Sequence, residues 1–201
     1  MKMPIRVIKV GGSLLDWPAL PMTLRRWLAE QSPGLNVLLC GGGDLADVVR
    51  RADRDFQLGE SCSHWLCIDV MSITARLLAR ILGDASLVTD YEELLGRVAR
   101  GEAGGIVFDA ALFLRDRESS LPGCPLPHDW SVTSDSIAAR LAEAIAADEL
   151  VLLKSSDPPA GNLAEMVAAG YVDRHFAAYA KITMKLRLVN LRCDAGLDDK
   201  K

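Results

Sequence analysis

Short apolar runs rich in β-branched residues recur along the chain, and the first two stop at glycine. Ile5 to Val10 ends at Gly11-Gly12, and Asn36 to Cys40 ends at Gly41-Gly42-Gly43. Runs of this length bounded by turn residues predict buried strands that enter glycine loops. Ser86 to Val88, Gly105 to Phe108 and Leu150 to Leu153 continue the series, and Lys185 to Leu191 ends it. Between these runs the period changes to that of a helix. Pro18 to Ala29 carries Leu20, Leu24, Trp27 and Leu28 at helical spacing and closes at Ser32-Pro33-Gly34. Asp44 to Phe56, Glu60 to Leu82, Tyr91 to Arg100 and Ser134 to Ala147 read as further helices. Strands alternating with helices predict an α/β fold, a three-layer αβα sandwich around a mostly parallel central sheet.

Two features stand out of this alternation. The helix predicted over Glu60 to Leu82 has one apolar stripe at Leu66, Val70, Ile73, Leu77 and Ile81 and a second at Ile68, Met71, Ala75 and Leu78. An apolar arc that wide belongs to the centre of a core or to a subunit interface, so a homodimer or higher homo-oligomer is expected. The stretch from Leu112 to Pro127, with Pro122, Gly123, Pro125 and Pro127, is long for a connection and is expected to be a lid. Neither an internal repeat nor a low-complexity tract interrupts the chain. Residues 1–193 are expected to form one domain, and 194–201 a polar tail.

Composition narrows the partners. Of the 201 residues 50% are apolar and 25% charged, enough to bury a core without disulfides or metal. The formal charge is −4, without a basic block, which disfavours nucleic acid as a partner. No stretch reaches the ~18 uncharged apolar residues that span a bilayer, so no membrane partner is expected. Charges thread through Met1 to Val10, which therefore lacks a signal-peptide core. The five cysteines are an odd number without a CxxC pair, which argues against a disulfide framework and a zinc site and for a cytoplasmic protein.

The chemistry gathers at strand ends. Lys9-Val10-Gly11-Gly12-Ser13 closes the first strand. Two glycines let backbone N–H groups approach an anion, Ser13 adds a hydroxyl, and Lys9 adds a full charge. A plain tight turn has the same sequence, and neither GxxxxGK[ST] nor GxGxxG is present. Gly41-Gly42-Gly43-Asp44 repeats the arrangement one strand over and opens a helix, which suggests two anionic ligands meeting at one sheet edge. Arg50 or Arg51, about two turns along, reaches an anionic acceptor or is simply solvated. Trp130 to Ala139 leads a helix with Asp135 in its first turn, and Lys154 leaves the strand Leu150 to Leu153 at the ligand edge.

In their order along the chain, Lys9 to Ser13, Gly41 to Gly43 and Ser131 to Ala138 resemble the amino acid kinase superfamily. That family, which includes acetylglutamate, aspartate, uridylate and isopentenyl phosphate kinases, opens with K-x-G-G-S, continues with a G-G-G loop and later carries N/S-x-T-x-D-x-x-A. The resemblance spans nearly the whole chain and implies the carbamate kinase-like fold with ATP and Mg²⁺ as cofactors. It implies that Lys9, Asp135 and Lys154 are catalytic, with Asp135 organising the two lysines. Lys9, Gly11, Gly12, Ser13, Lys154, Ser155 and Asp157 would hold ATP. Gly41, Gly42, Gly43, Asp44, Arg50, His64, Ser131 and Thr133 would hold the acceptor, and no side chain is expected to ligate a metal.

The segment Ser155 to Gly161 is abbreviated relative to larger members, and the glycine and lysine segment of amino-acid-phosphorylating members is not recognisable. Gly43 is followed by Asp44-Leu45-Ala46, without the histidine of isopentenyl phosphate kinases. Trp130 to Ala138, the helix with Ala46 to Arg50, and His64-Trp65-Leu66 leading to Met71 look like the small branch that phosphorylates (5-(aminomethyl)furan-3-yl)methyl phosphate in methanofuran biosynthesis. The acceptor is then a small-molecule monophosphate and the product a diphosphate. His64 and Asp69 become acceptor-site candidates, although a histidine on an apolar helix face also serves as a packing residue. The alternatives are another phosphate acceptor, such as a nucleoside monophosphate, or a catalytically silent nucleotide-binding protein.

Overall fold

Strands β1 (Ile5–Val10), β2 (Leu35–Cys40), β3 (Ser86–Val88), β4 (Gly104–Phe108), β5 (Glu149–Lys154) and β6 (Lys185–Asn190) form one sheet in the order β3-β4-β2-β1-β5-β6. Every neighbouring pair is parallel, which makes the sheet wholly parallel where a mostly parallel one was expected. The computed structural model describes residues 3–83, 85–179 and 184–193, and the expected tail 194–201 lies outside them. β1 is the point at which the strand order reverses, with β2 on one side and β5 on the other. Ligands of open parallel sheets collect at the carboxyl edge of such a point.

All residues of β1 and β2 are buried. They alternate between two cores, as a strand covered on both faces must. Val7, Val37 and Leu152 join one core together with Ile137, Ala138 and Leu141 of helix α6 (Ser134–Ala144). Ile8, Leu38 and Val151 join the other, against Leu20, Leu24 and Trp27 of α1 (Leu20–Ala29).

The remaining helices are α2 (Gly43–Phe56), α3 (Glu60–Leu82), α4 (Tyr91–Ala99), α5 (Ala111–Asp116) and α7 (Leu163–Ala168). α3 buries the stripe Ile68, Met71, Ala75 and Leu78, whereas Leu66, Ile73 and Leu77 of the other stripe are exposed. α6 stops three residues earlier than its pattern predicts, because Ala146 turns into the left-handed region at φ 50°.

The expected lid is corrected by its contacts. The stretch from Leu112 holds most of α5 and a 3₁₀ turn at Glu118–Ser120, and Arg140 of α6 fastens that turn and the residues after it. The fully buried Arg140 guanidinium donates to Glu118 Oε1 at 2.7 Å, to the Pro122 carbonyl at 2.7 Å and to Glu143 at 2.6 Å. Glu118 is itself 1% exposed. A buried ion pair with its lone pairs satisfied holds a segment in place, since releasing it leaves an uncompensated charge in the core.

Candidate active site

The period of two along a strand aims Lys9. It lies on the face of β1 that carries Ile5 and Val7, and Lys154 lies on the face of β5 that carries Leu150 and Leu152. Both faces look toward α6, whose first turn holds Asp135. The Asp135 carboxylate therefore lies between two ammonium groups, with Lys9 Nζ 3.0 Å from Oδ1 and Lys154 Nζ 2.8 Å from Oδ2. Lys154 Nζ also donates to the carbonyl of Tyr171 at 2.7 Å.

Burial sets the charges of this triad. Burial alone raises the pKa of Asp135, but the two lysines outweigh it and hold the carboxylate below its usual range. Lys154 moves the other way. Burial and the neighbouring Lys9 ammonium lower it to about 8, against the attraction of Asp135.

The two glycine loops are in contact. A Cβ on Gly12 would lie 2.1 Å from the amide nitrogen of Gly43, and Gly43 has a positive φ of 56°, so neither position accepts a side chain without strain. The loops thus present backbone N–H groups side by side, and Gly42 and Gly43 open α2. An anion there meets unpaired helix N–H groups and the positive end of the helix dipole.

A cleft of about 850 Å³ runs from this edge. The structure brings Lys9, Gly12, Ser13, Gly41, Gly42, Gly43, Asp44, Arg50, His64, Thr133, Asp135 and Lys154 into its lining. Five expected site residues, Gly11, Ser131, Ser155, Asp157 and Asp69, lie outside that lining. The Gly11 amide donates to the Leu153 carbonyl at 2.8 Å, and the Ser131 hydroxyl donates to Asp129. Ser155 touches the rim through a 2.9 Å hydrogen bond with the Ser13 hydroxyl, and Asp157 is exposed. Asp69, expected at the acceptor site, is exposed and paired with Arg115 at 2.7 Å, because the polar face of α3 turns toward α5 there. Arg51 is exposed and outside the cleft, so Arg50 is the arginine of the pair that faces it.

Several contacts in the lining had no signature in the sequence. Trp130 donates its indole N–H to Asp53 at 2.8 Å and carries the Arg50 guanidinium 5.4 Å from its ring centre. His64 stacks on His128 at 5.2 Å, and burial lowers its pKa, keeping the ring neutral at pH 7. Tyr171 and Asp173 come from the segment after α7, and Asp173 binds the first turn of α6. These residues belong to separate loops, and only the fold gathers them.

Paired ammonium groups beside two backbone anion sites form a preorganised positive field, the chief need of phosphoryl transfer between two phosphate-bearing ligands. Sequence comparison agrees. The chain belongs to the amino acid kinase family, whose model matches residues 4–158, and is thus an ATP-dependent phosphotransferase. It is 26% identical over 173 residues to the [5-(aminomethyl)furan-3-yl]methyl phosphate kinase of Methanocaldococcus jannaschii, covering 82% of this chain and 74% of that protein. It is 32% identical over 167 residues to the uridylate kinase of Haloquadratum walsbyi, covering 75% of this chain but 58% of that protein. The crystal structure of uridylate kinase from Archaeoglobus fulgidus superposes with a TM-score of 0.62 at 18% identity, covering 96% of each chain, a likeness of fold.

Proposed function

We propose that this protein transfers the γ-phosphoryl group of MgATP to the phosphate of a small phosphomonoester, [5-(aminomethyl)furan-3-yl]methyl phosphate, giving the diphosphate and ADP. The observation that carries this reading is the pairing of Lys9 and Lys154 through Asp135 beside the touching glycine loops. An oxygen of the acceptor phosphate forms the new bond to the γ-phosphorus, and the bond to the β,γ-bridging oxygen breaks. A phosphomonoester has its second pKa near ~6, so the attacking oxygen carries no proton at pH 7 and no general base is needed.

Lys9 and Lys154 flank the moving group and offset its charge, and Asp135 keeps them apart and oriented. ATP phosphates lie over Lys9 to Ser13, with Ser155 at the rim, and the acceptor phosphate lies over Gly41 to Gly43. Mg²⁺ enters with the nucleotide. Among the described residues no three His, Cys, Asp or Glu side chains form an ion cage, and both oxygens of Asp135 face ammonium groups. When bound with the nucleotide the ion would add positive charge at the transferring phosphates, and Asp135 would remain with the two lysines.

The exposed stripe Leu66, Ile73 and Leu77 supports a homodimer packed through α3. Among the described residues no helix is long and apolar enough to cross a membrane.

The test is ADP release with MgATP and the aminomethylfuran phosphate, beside UMP, isopentenyl phosphate and acetylglutamate. Turnover on the furan alone supports the reading. The 32% identity to a uridylate kinase favours UMP as the second acceptor, and turnover on UMP alone would replace the furan. ADP binding with silence on all four would leave a nucleotide-binding protein.

A further inference from the structure

The wall of the cleft built by α2 and the segment before α6 carries more negative than positive charge. Asp44, Asp47 and Asp129 line it with Arg50, and Arg50 is already paired with Asp47 at 2.6 Å. Two phosphates are served by Lys9, Lys154 and the loop amides, so carboxylates on this wall recognise something else. Beside them stand the aromatic faces of Trp130 and His64. Flat rings next to an ionised carboxylate suit an aromatic ligand that bears an ammonium group, because the carboxylate pairs with the cation and the ring faces stack or attract it.

We propose that Asp129 is the specificity residue of the acceptor site and pairs with a primary ammonium on the acceptor's ring. The inference rests on the acceptor reading above. Asp129 accepts hydrogen bonds from the amide of Ser131 at 2.7 Å and from its hydroxyl at 2.5 Å. Both fall on Oδ1, which fixes the carboxylate, and among the described residues no hydrogen bond falls on Oδ2. The same hydrogen bonds from Ser131 keep the group ionised, holding its pKa below the usual range. A neutral pyrimidine offers that charge only neutral hydrogen-bond donors, whereas an aminomethyl group offers a cation. The carboxylate would thus reject neutral acceptors by staying unpaired in their presence.

The test compares two acceptors, the aminomethylfuran phosphate and its analogue with hydroxymethyl in place of aminomethyl, with wild type and Asp129→Asn. Asparagine keeps the carbonyl that accepts from Ser131, so a turn-forming role alone predicts no change. The expected result is a KM for the amine raised roughly ten- to a hundredfold, the worth of one hydrogen bond to a charged group. KM for MgATP should hold, KM for the neutral analogue should stay or fall as the unpaired charge is removed, and the preference for the amine should vanish. Asp129→Asn with the wild-type preference overturns the proposal, as does a loss produced by Asp47→Asn and not by Asp129→Asn. Wild-type turnover on UMP and on neither furan overturns the acceptor reading and this site together.

Discussion

The carboxylate of Asp173 accepts from both the amide and the hydroxyl of Thr133, at 2.9 and 2.8 Å, and so caps α6 from a segment 40 positions away. It also accepts from the amide of Ser136 at 3.0 Å, one residue past Asp135. Thr133 makes no cap of its own. The orientation of the central carboxylate therefore depends on a side chain that reaches in from the far wall. Asp173→Ala should cost about 2–3 kcal/mol of stability, the sum expected for an N-cap with additional buried donors left unpaired. Urea denaturation measures the loss, and kcat should fall with it because Asp135 loses its support. A variant as stable and active as wild type would release Asp173 from this role.

Lys9→Ala removes one of the two ammonium groups from the site. Turnover should fall by ~100-fold or more, since one electrostatic stabiliser is typically worth ~3 kcal/mol at the transition state. Steady-state kinetics on a variant with wild-type circular dichroism checks this, and near-normal turnover would take Lys9 out of the reaction.

Lys154, at about 8, makes the free enzyme sensitive to mild alkali. Its ammonium is lost as pH rises through that value, so kcat/KM should fall on the alkaline side with an apparent pKa near 8. Phosphates bound beside it favour the charged form, so the matching limb of kcat should lie at higher pH. The stability effect has the opposite sense. Its pKa is lower in the folded than in the unfolded chain, so the unfolded chain holds more protons above about pH 8, and this group favours the fold increasingly as pH rises toward the ordinary lysine range. Profiles of kcat and kcat/KM with coincident alkaline limbs would contradict the assignment.

Gly12→Ala places a methyl against the backbone of Gly43, and the loops must part to admit it. Displacing a phosphate site by about 1 Å costs on the order of 100-fold in rate. The expected outcome is a folded protein with kcat/KM reduced by that factor, and full activity would mean that the loops do not act as a unit.

Ile73→Glu puts a charge in the exposed apolar stripe of α3, where Ile73 is 55% exposed. Light scattering at micromolar concentration should report a dimer for wild type and a monomer for the variant. A monomeric wild type would end the homodimer proposal.

The strand alternation was legible because each core strand is short, apolar and followed by turn residues, and the two glycine loops follow from strand ends that open onto helices. Lys9, Asp135 and Lys154 were readable for the same reason, since strand parity and a helix first turn position them. Asp69 misled because a carboxylate on α3 gives no sign of its partner Arg115 on another helix. Asp129 and Tyr171 left no trace. Although Trp130 and Asp173 stood in segments that marked the resemblance, nothing beside them in sequence announced their partners, Asp53 and Arg50 for the one and the first turn of α6 for the other. The fastening of the expected lid was hidden likewise, for Arg140 sits on a helix face that reads as ordinary until Glu118 is placed beside it.

The central strand pairs across a long stretch of chain, with Arg6 of β1 bonded to Glu149 of β5, 143 positions later. During synthesis β1, β2, β3 and β4 can assemble with local connections, but Lys154 and the α6 carboxylate are still missing from that half-sheet. The cluster of Lys9, Asp135 and Lys154 is therefore complete only once α6 and β5 join the sheet, a non-local closure of the kind that slows folding. A nascent or C-terminally truncated chain that stops before α6 would own both glycine loops and yet present Lys9 without its counterion, a half-built pocket.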